Sequence, residues 1–182
     1  MVFINTVISV LFLWLNSIVM IIVVGIGQRF RGDDEAGLAA VHLWVDTYRP
    51  VRSDMDLRVE FAESPGVGLL NLLVGADKAL LVDAVQSGAR PGTLHLLDET
   101  DLGAFLDGAA SAHGWGVAET LALGRKVDPD SMPECITLIG IEVGQVELGR
   151  GISPDVSLAL TKAAKLIQET VDKLKQDPYI SS

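Results

Sequence analysis

The sequence predicts an α/β fold: a mainly parallel, twisted sheet of about five strands with helices on both faces, a three-layer αβα domain. Two observations support this prediction. Short continuous runs of β-branched and other apolar residues alternate with segments that carry the apolar spacing of helices. Neither an internal repeat nor a Pro/Ser-rich linker interrupts residues 20–178, and 182 residues are enough to bury one substantial core. We therefore expect a single domain over residues 20–178.

The predicted elements follow one another in the order of such a fold. Residues 21–24 form a continuous β-branched run that ends in Gly25, which is typical of a central strand buried on both faces. Asp33 and Asp34 precede a helix predicted over 35–48, and this acidic start suits the helix dipole. The remaining predicted strands are 57–62, 79–82, 93–97 and 135–141, and the remaining predicted helices are 68–74, 116–123 and 154 to about 175.

The first 19 residues differ in composition from the rest of the chain. They are mostly apolar, and the first charged residue is Arg29. A membrane helix needs about 18 consecutive apolar residues, and this stretch just reaches that length with several polar residues inside it. No Lys or Arg precedes it and no A-x-A-like site follows it, which argues against a cleaved secretory signal. We favour Met20 as the natural start, with residues 1–19 a mis-assigned extension, over an uncleaved membrane anchor.

The charge balance and the cysteine count exclude several classes of function. The chain has 24 acidic residues against 14 Lys and Arg, a net charge of -10. Binding to nucleic acid needs clustered basic residues, so we expect no nucleic-acid partner. The single cysteine, Cys135, excludes a disulfide framework and a Cys-based zinc site, and we predict that it is a buried small hydrophobe. We expect a cytoplasmic protein that meets a membrane only if residues 1–19 are a real anchor.

Polar residues at three places could form a site at the carboxyl edge of the predicted sheet. The Asp33–Asp34 pair follows the first strand, Asp83 follows a buried apolar run, and His113 precedes a helix. Ligands of open parallel sheets bind at this edge, and two carboxylates with one imidazole suit a borderline divalent metal. Simpler explanations exist for each position. One aspartate of the pair could cap the helix, Asp83 could accept a hydrogen bond from a loop, and His113 could be an ordinary loop histidine.

A glycine pair after the first strand offers a rival interpretation. A dinucleotide-binding motif that begins at Gly25 and Gly27 needs a third glycine at the position of Phe30. Without it the helix cannot approach the strand as that fold requires, and no Walker motif is present. We therefore expect no nucleotide cofactor. We also set aside His42, within the first helix, and His95, within a strand, as surface or packing residues.

Four stretches, taken in order, resemble the hydrogenase maturation endopeptidases, which process the large subunit of nickel-iron hydrogenases. They are IIVVGIGQRFRGDDEAG, ALLVDAVQSGARPGTLHLL, SAHGWGVAETLALGR and the late strand ITLIGIEV with the long helix after it. Each stretch alone is a weak signal, whereas the ordered set is specific. The resemblance extends over essentially residues 20–174.

The resemblance implies a function and a set of site residues. The metal-contacting acid of the family falls on Asp34, its strand-end aspartate on Asp83 and its histidine on His113. In this family these residues are thought to recognise nickel that is already installed in the substrate. The resemblance thus implies an endopeptidase in which Asp34 and Asp83 are catalytic and all three residues contact nickel supplied by the hydrogenase large-subunit precursor. The alternative is a nickel-sensing assembly factor that binds the precursor without cutting it.

Two departures from the family pattern concern the mouth of the predicted site. The usual Asn after the glycine pair is Gln28, and a normally apolar stretch reads Gln-Arg-Phe-Arg, so a more basic mouth is expected. The usual Asp-Gly-Gly-Thr-like turn after the second strand is replaced by Glu63-Ser-Pro-Gly. This second departure predicts a different hydrogenase partner.

Overall fold

The computed structural model describes residues 19–49, 56–63, 66–106 and 116–176. Residues 1–18 lie outside this range, and so does His113, the predicted imidazole ligand. The described elements follow the predicted alternation. They are β1 (Ile21–Ile26), a 3-10 helix (Gly32–Glu35), α1 (Ala36–Tyr48), β2 (Leu57–Ala62), α2 (Gly68–Leu73), β3 (Lys78–Val85), β4 (Leu94–Asp98), α3 (Glu99–Leu106), α4 (Val117–Val127), a second 3-10 helix (Pro129–Ser131), β5 (Cys135–Glu142) and α5 (Pro154–Gln176).

The five described strands form one sheet in the order β2-β1-β3-β5-β4. β1 pairs in parallel with β2 and β3, and β3 pairs in parallel with β5, whereas β4 runs antiparallel to β5 at the edge. The carboxyl ends of β1, β2, β3 and β5 therefore meet at one edge of the sheet. The predicted mainly parallel sheet is confirmed.

Two apolar cores, one on each face of the sheet, show why the central strands are apolar along their whole length. Alternate residues of a strand point to opposite faces, so Ile21 and Val23 enter one core and Ile22 and Val24 the other. The first core lies beneath α1 and α5, and the second beneath α2, α3 and α4. A strand covered on both sides cannot carry exposed polar positions. The three-layer αβα architecture follows.

The structure adds two details to the predicted elements. Helix α3 occupies residues for which no helix is predicted, and Cys135 is half-buried rather than fully buried because it begins β5 instead of lying within it. Within the described ranges, no helix is both long enough and apolar enough to cross a membrane.

Candidate active site

Asp34 is held over the carboxyl end of β1 by the close approach of a 3-10 helix. Both Asp33 and Asp34 lie in this helix and are fully buried. The approach requires a glycine in the loop after β1: Gly27 has φ of +153°, and a Cβ there would collide with the carbonyl oxygen of Asp34. The glycine pair of the sequence thus lets the chain fold back tightly, and this role needs no nucleotide.

Asp83 lies at the same edge of the sheet, near the end of the neighbouring strand β3. Every residue of β3 is buried, and Asp83 is 5% exposed. Its Oδ1 accepts a hydrogen bond from the amide of Ala84 at 2.8 Å. The start of α1 spans both strands, because a Cβ on Gly37 would collide with the carbonyl oxygens of Ile26 and Val82. Asp34 and Asp83 therefore lie at the same edge of the sheet, beside the ends of two adjacent parallel strands.

The third predicted member of the site, His113, lies outside the described residues. Within the described part of the chain, no three His, Cys, Asp or Glu side chains are grouped so that they could hold a metal ion by themselves. Of the predicted site, the described structure thus contains the two buried carboxylates of Asp34 and Asp83. Carboxylates supply oxygen ligands to a divalent cation and can also accept a proton from water.

Asp33 has a different role from its neighbour, because it fastens the loop between β5 and α5. Its carboxylate accepts hydrogen bonds from the amides of Gly144 (3.3 Å), Gln145 (3.0 Å) and Ser153 (2.6 Å) and from the Ser153 hydroxyl (3.0 Å). No side-chain capping bond is made at the start of the 3-10 helix or of α1. The helix-capping explanation of the aspartate pair is therefore wrong, and one member of the pair holds a loop.

A buried cluster at the end of β5 was missed by sequence reasoning. Glu142 is 1% exposed and accepts hydrogen bonds from the amides of Ser87 and Gly88, both at 2.9 Å, and from the Ser87 hydroxyl at 2.7 Å. The Nε2 atom of His95 lies 3.2 Å from the same carboxylate. His95 belongs to a polar cluster that fixes the loop between β3 and β4. His42 does pack, since its ring stacks on Phe61 with centroids 4.1 Å apart.

The mouth of the site carries the two arginines that depart from the family pattern. The Nε atom of Arg29 lies 3.1 Å from Glu63, and both side chains are about half exposed. Arg31 donates a hydrogen bond to the side-chain oxygen of Gln28 at 2.9 Å. Both unusual residues of the sequence, Gln28 and Glu63, therefore contact an arginine. Arg29 is paired with a carboxylate, whereas Arg31 bonds to a neutral amide and keeps its positive charge at the mouth.

The fold and the site define a class: an αβα domain with two buried carboxylates over the carboxyl ends of adjacent parallel strands. Comparison with known proteins gives the family. Residues 64–170 match the model of the hydrogenase maturation protease family, HycI, and this match spans more than half of the chain. The chain belongs to that family, as its sequence patterns predict.

Individual relatives agree with this assignment. The chain is 27% identical over 157 residues to the hydrogenase expression/formation protein HupD of Thiocapsa roseopersicina, covering 82% of this chain and 66% of HupD. It therefore spans about two thirds of the length of that relative. It is 24% identical over 148 residues to the hydrogenase 2 maturation protease of Escherichia coli strain K12, covering 81% of this chain and 87% of the relative.

Solved structures share the fold. The hydrogenase maturating endopeptidase HybD from E. coli superposes with a TM-score of 0.73 at 22% identity, covering 85% of this chain and 93% of HybD. The [NiFe] hydrogenase maturation protease HybD from Thermococcus kodakarensis superposes with a TM-score of 0.67, also at 22% identity, covering 83% and 98%. At this level of identity the superpositions establish the architecture alone.

Proposed function

We propose that this protein is a cytoplasmic endopeptidase that removes the C-terminal extension of a nickel-containing hydrogenase large-subunit precursor after the metal has been inserted. The observation that carries the proposal is the placement of two buried carboxylates, Asp34 and Asp83, at one edge of the sheet. Family membership and the names of the relatives support peptidase activity and a hydrogenase substrate.

In this proposal the nickel ion is part of the substrate. Asp34 and Asp83, together with His113 as the family pattern implies, contact the nickel that the precursor carries. Burial favours such recognition because a cation beside two buried carboxylates relieves both their desolvation and their mutual repulsion. A precursor without metal offers no such gain, so the enzyme distinguishes filled from empty substrate.

The contact with nickel also positions the peptide bond that is cut. Hydrolysis adds water across the amide: the hydroxyl joins the carbonyl carbon, the C–N bond breaks, and the leaving amine takes up a proton. A carboxylate at this edge can accept the proton of the attacking water. The substrate's own metal can polarise the carbonyl. Proton acceptance and carbonyl polarisation both require the carboxylates and the metal to lie beside the peptide bond that is cut. The two aspartates can therefore both contact the metal and take part in hydrolysis.

A processing assay tests the proposal. The nickel-loaded and the nickel-free large-subunit precursor from the source organism are incubated with the protein, and the mass of the large subunit is followed by mass spectrometry. We expect loss of a C-terminal peptide from the nickel-loaded precursor only. Asp83→Asn should abolish cleavage and leave the fold intact, while the control Asp130→Asn, an exposed aspartate in the second 3-10 helix, should cut normally.

Two results would contradict the proposal. A fully active Asp83→Asn enzyme would remove Asp83 from metal recognition and catalysis. Binding of the nickel-loaded precursor without any change in its mass would instead identify the protein as a nickel-sensing assembly factor.

A further inference from the structure

Phe30, in the loop between β1 and the 3-10 helix, has an unfavourable backbone conformation. Its φ is +61°, and among the described residues it is the one non-glycine residue with positive φ. The left-handed region is sterically costly for a bulky side chain, and such conformations persist where the surroundings hold them. At Phe30 the surroundings are two hydrogen bonds: its amide donates to Glu35 Oε2 at 3.3 Å, and its carbonyl accepts from Gly149 at 2.7 Å.

This conformation does not bury the side chain of Phe30. Phe30 is 74% exposed, although a phenyl ring is strongly apolar. Leu148, which precedes the Gly149 that bonds to Phe30, is 82% exposed. The loop after β1 and the loop after β5 are thus joined by a backbone hydrogen bond, and each holds a large apolar side chain in solvent. We call Phe30 and Leu148 the apolar tip.

The apolar tip is fixed to the candidate active site. Two residues separate Phe30 from Asp33, whose carboxylate binds the loop that carries Leu148. Asp34 follows immediately in the same 3-10 helix. Phe30 and Asp34 therefore belong to one short segment after the carboxyl end of β1.

Two arginines beside the tip are paired with carboxylates within the protein. Arg29 pairs with Glu63, and Arg150 pairs with Glu147 at 2.9 Å. Since these cations already have partners, the feature that the tip offers to another molecule is apolar surface. Exposed aromatic side chains held rigidly are the residues that most often dominate protein–protein affinity, because little entropy is lost when they are buried.

We propose that the apolar tip is the specificity-determining contact for the protein substrate, with Phe30 inserting into an apolar pocket on the folded large-subunit precursor beside its nickel site. This inference rests on the proposed function. The backbone strain at Phe30 is maintained because it aims the ring at the substrate. Leu148, exposed on the loop that bonds to Phe30, extends the apolar surface.

The variant Phe30→Gly separates binding from folding. Glycine adopts positive φ without strain, so the variant should unfold at the same temperature as the wild type or higher. Removal of the ring should raise KM for the nickel-loaded precursor by about tenfold or more, as for an interface anchor, and leave kcat within about twofold. Phe30→Tyr keeps the ring and should keep KM. Val127→Ala, at an exposed apolar position at the end of α4, is the control and should change neither constant.

Each outcome supports or overturns the role of the apolar tip. An unchanged KM in Phe30→Gly, with the wild type cutting normally, would overturn the role of the tip and leave the proposed function standing. If the wild type binds the precursor without cutting it, the proposed function fails, and loss of that binding in Phe30→Gly still supports the tip. A wild type that neither binds nor cuts the precursor overturns both.

Discussion

Two pairs of buried carboxylates lie along the same edge of the sheet, and we propose different roles for them. On the β5 side, Asp33 and Glu142 each accept hydrogen bonds from backbone amides of a neighbouring loop and hold that loop in place. On the β1–β3 side, Asp34 and Asp83 stand where the family pattern places its metal-contacting acids. All four are at most 5% exposed. Burial of a carboxylate therefore does not by itself identify a functional site.

The adjacent residues Asp33 and Asp34 give the sharpest test of this difference. Asp34→Asn should lower cleavage of the nickel-loaded precursor by about 10² to 10⁴-fold, because a neutral amide neither attracts the cation nor accepts the proton of water. Its unfolding midpoint should stay near that of the wild type or rise. The measurement is the initial rate of processing, together with the midpoint of urea unfolding.

Asp33→Asn should show the opposite pattern. The amide group would face the donors of Gln145 and Ser153, and loss of these charge-assisted bonds should lower the free energy of unfolding by about 2–4 kcal/mol. The folded fraction should still cut within about tenfold of the wild-type rate. If Asp33→Asn is stable but inactive, the division of labour between the two aspartates is wrong.

Variants of Glu142 test whether a buried carboxylate holds a loop in place, and their expected effect is smaller. Glu142→Ala should lower the free energy of unfolding by about 3 kcal/mol, because it leaves the buried amides of Ser87 and Gly88 without their acceptor. Glu142→Gln should recover most of this loss, since its amide oxygen can accept both bonds. Hydrogen exchange at the two amides reports the effect directly. Equal exchange rates in the alanine variant and the wild type would show that Glu142 does not hold the loop.

The sequence predicted the fold well because the signals were local. Continuous β-branched runs predicted β1, β3 and β5, because a strand that is covered on both faces is apolar along its whole length. The edge that gathers Asp34 and Asp83 followed from parallel strand direction. Helix α3 was not predicted. Its start could have been found, because Asp98 followed by Glu99-Thr100-Asp101 is a helix-starting pattern.

The remaining site details depend on contacts between distant parts of the chain. Asp33 bonds to Ser153, and Glu142 bonds to Ser87 and His95; each pair is separated by many residues. No spacing of residues in the sequence predicts these contacts. The strained backbone of Phe30 could not be predicted from the sequence either, because a phenylalanine gives no local signal for positive φ.

Asp98 extends the comparison to a carboxylate that also ends a strand but lies outside the site. β4 is antiparallel, so its carboxyl end is at the opposite edge of the sheet from Asp83. Asp98 is exposed, and its Oδ1 accepts hydrogen bonds from the Thr100 hydroxyl (2.7 Å) and from the amides of Thr100 and Asp101 (both 3.0 Å), which starts α3. These bonds favour the charged form, with the Thr100 hydroxyl contributing most, and hold the pKa of Asp98 below its ordinary value.

The smallest predicted effect is therefore a change in one pKa. A depressed folded-state pKa adds stability that is present above the unfolded-state value of about 3.9 and is lost as the pH falls through the folded-state value. Thr100→Ala removes the largest cause, so the pKa of Asp98 should rise towards 3.9 and the acid dependence of stability should weaken. Thr161→Ala, at an exposed position of α5, is the control. Titration of the Asp98 carboxyl carbon by NMR measures the shift, and an unmoved pKa in Thr100→Ala would show that the backbone amides alone set it.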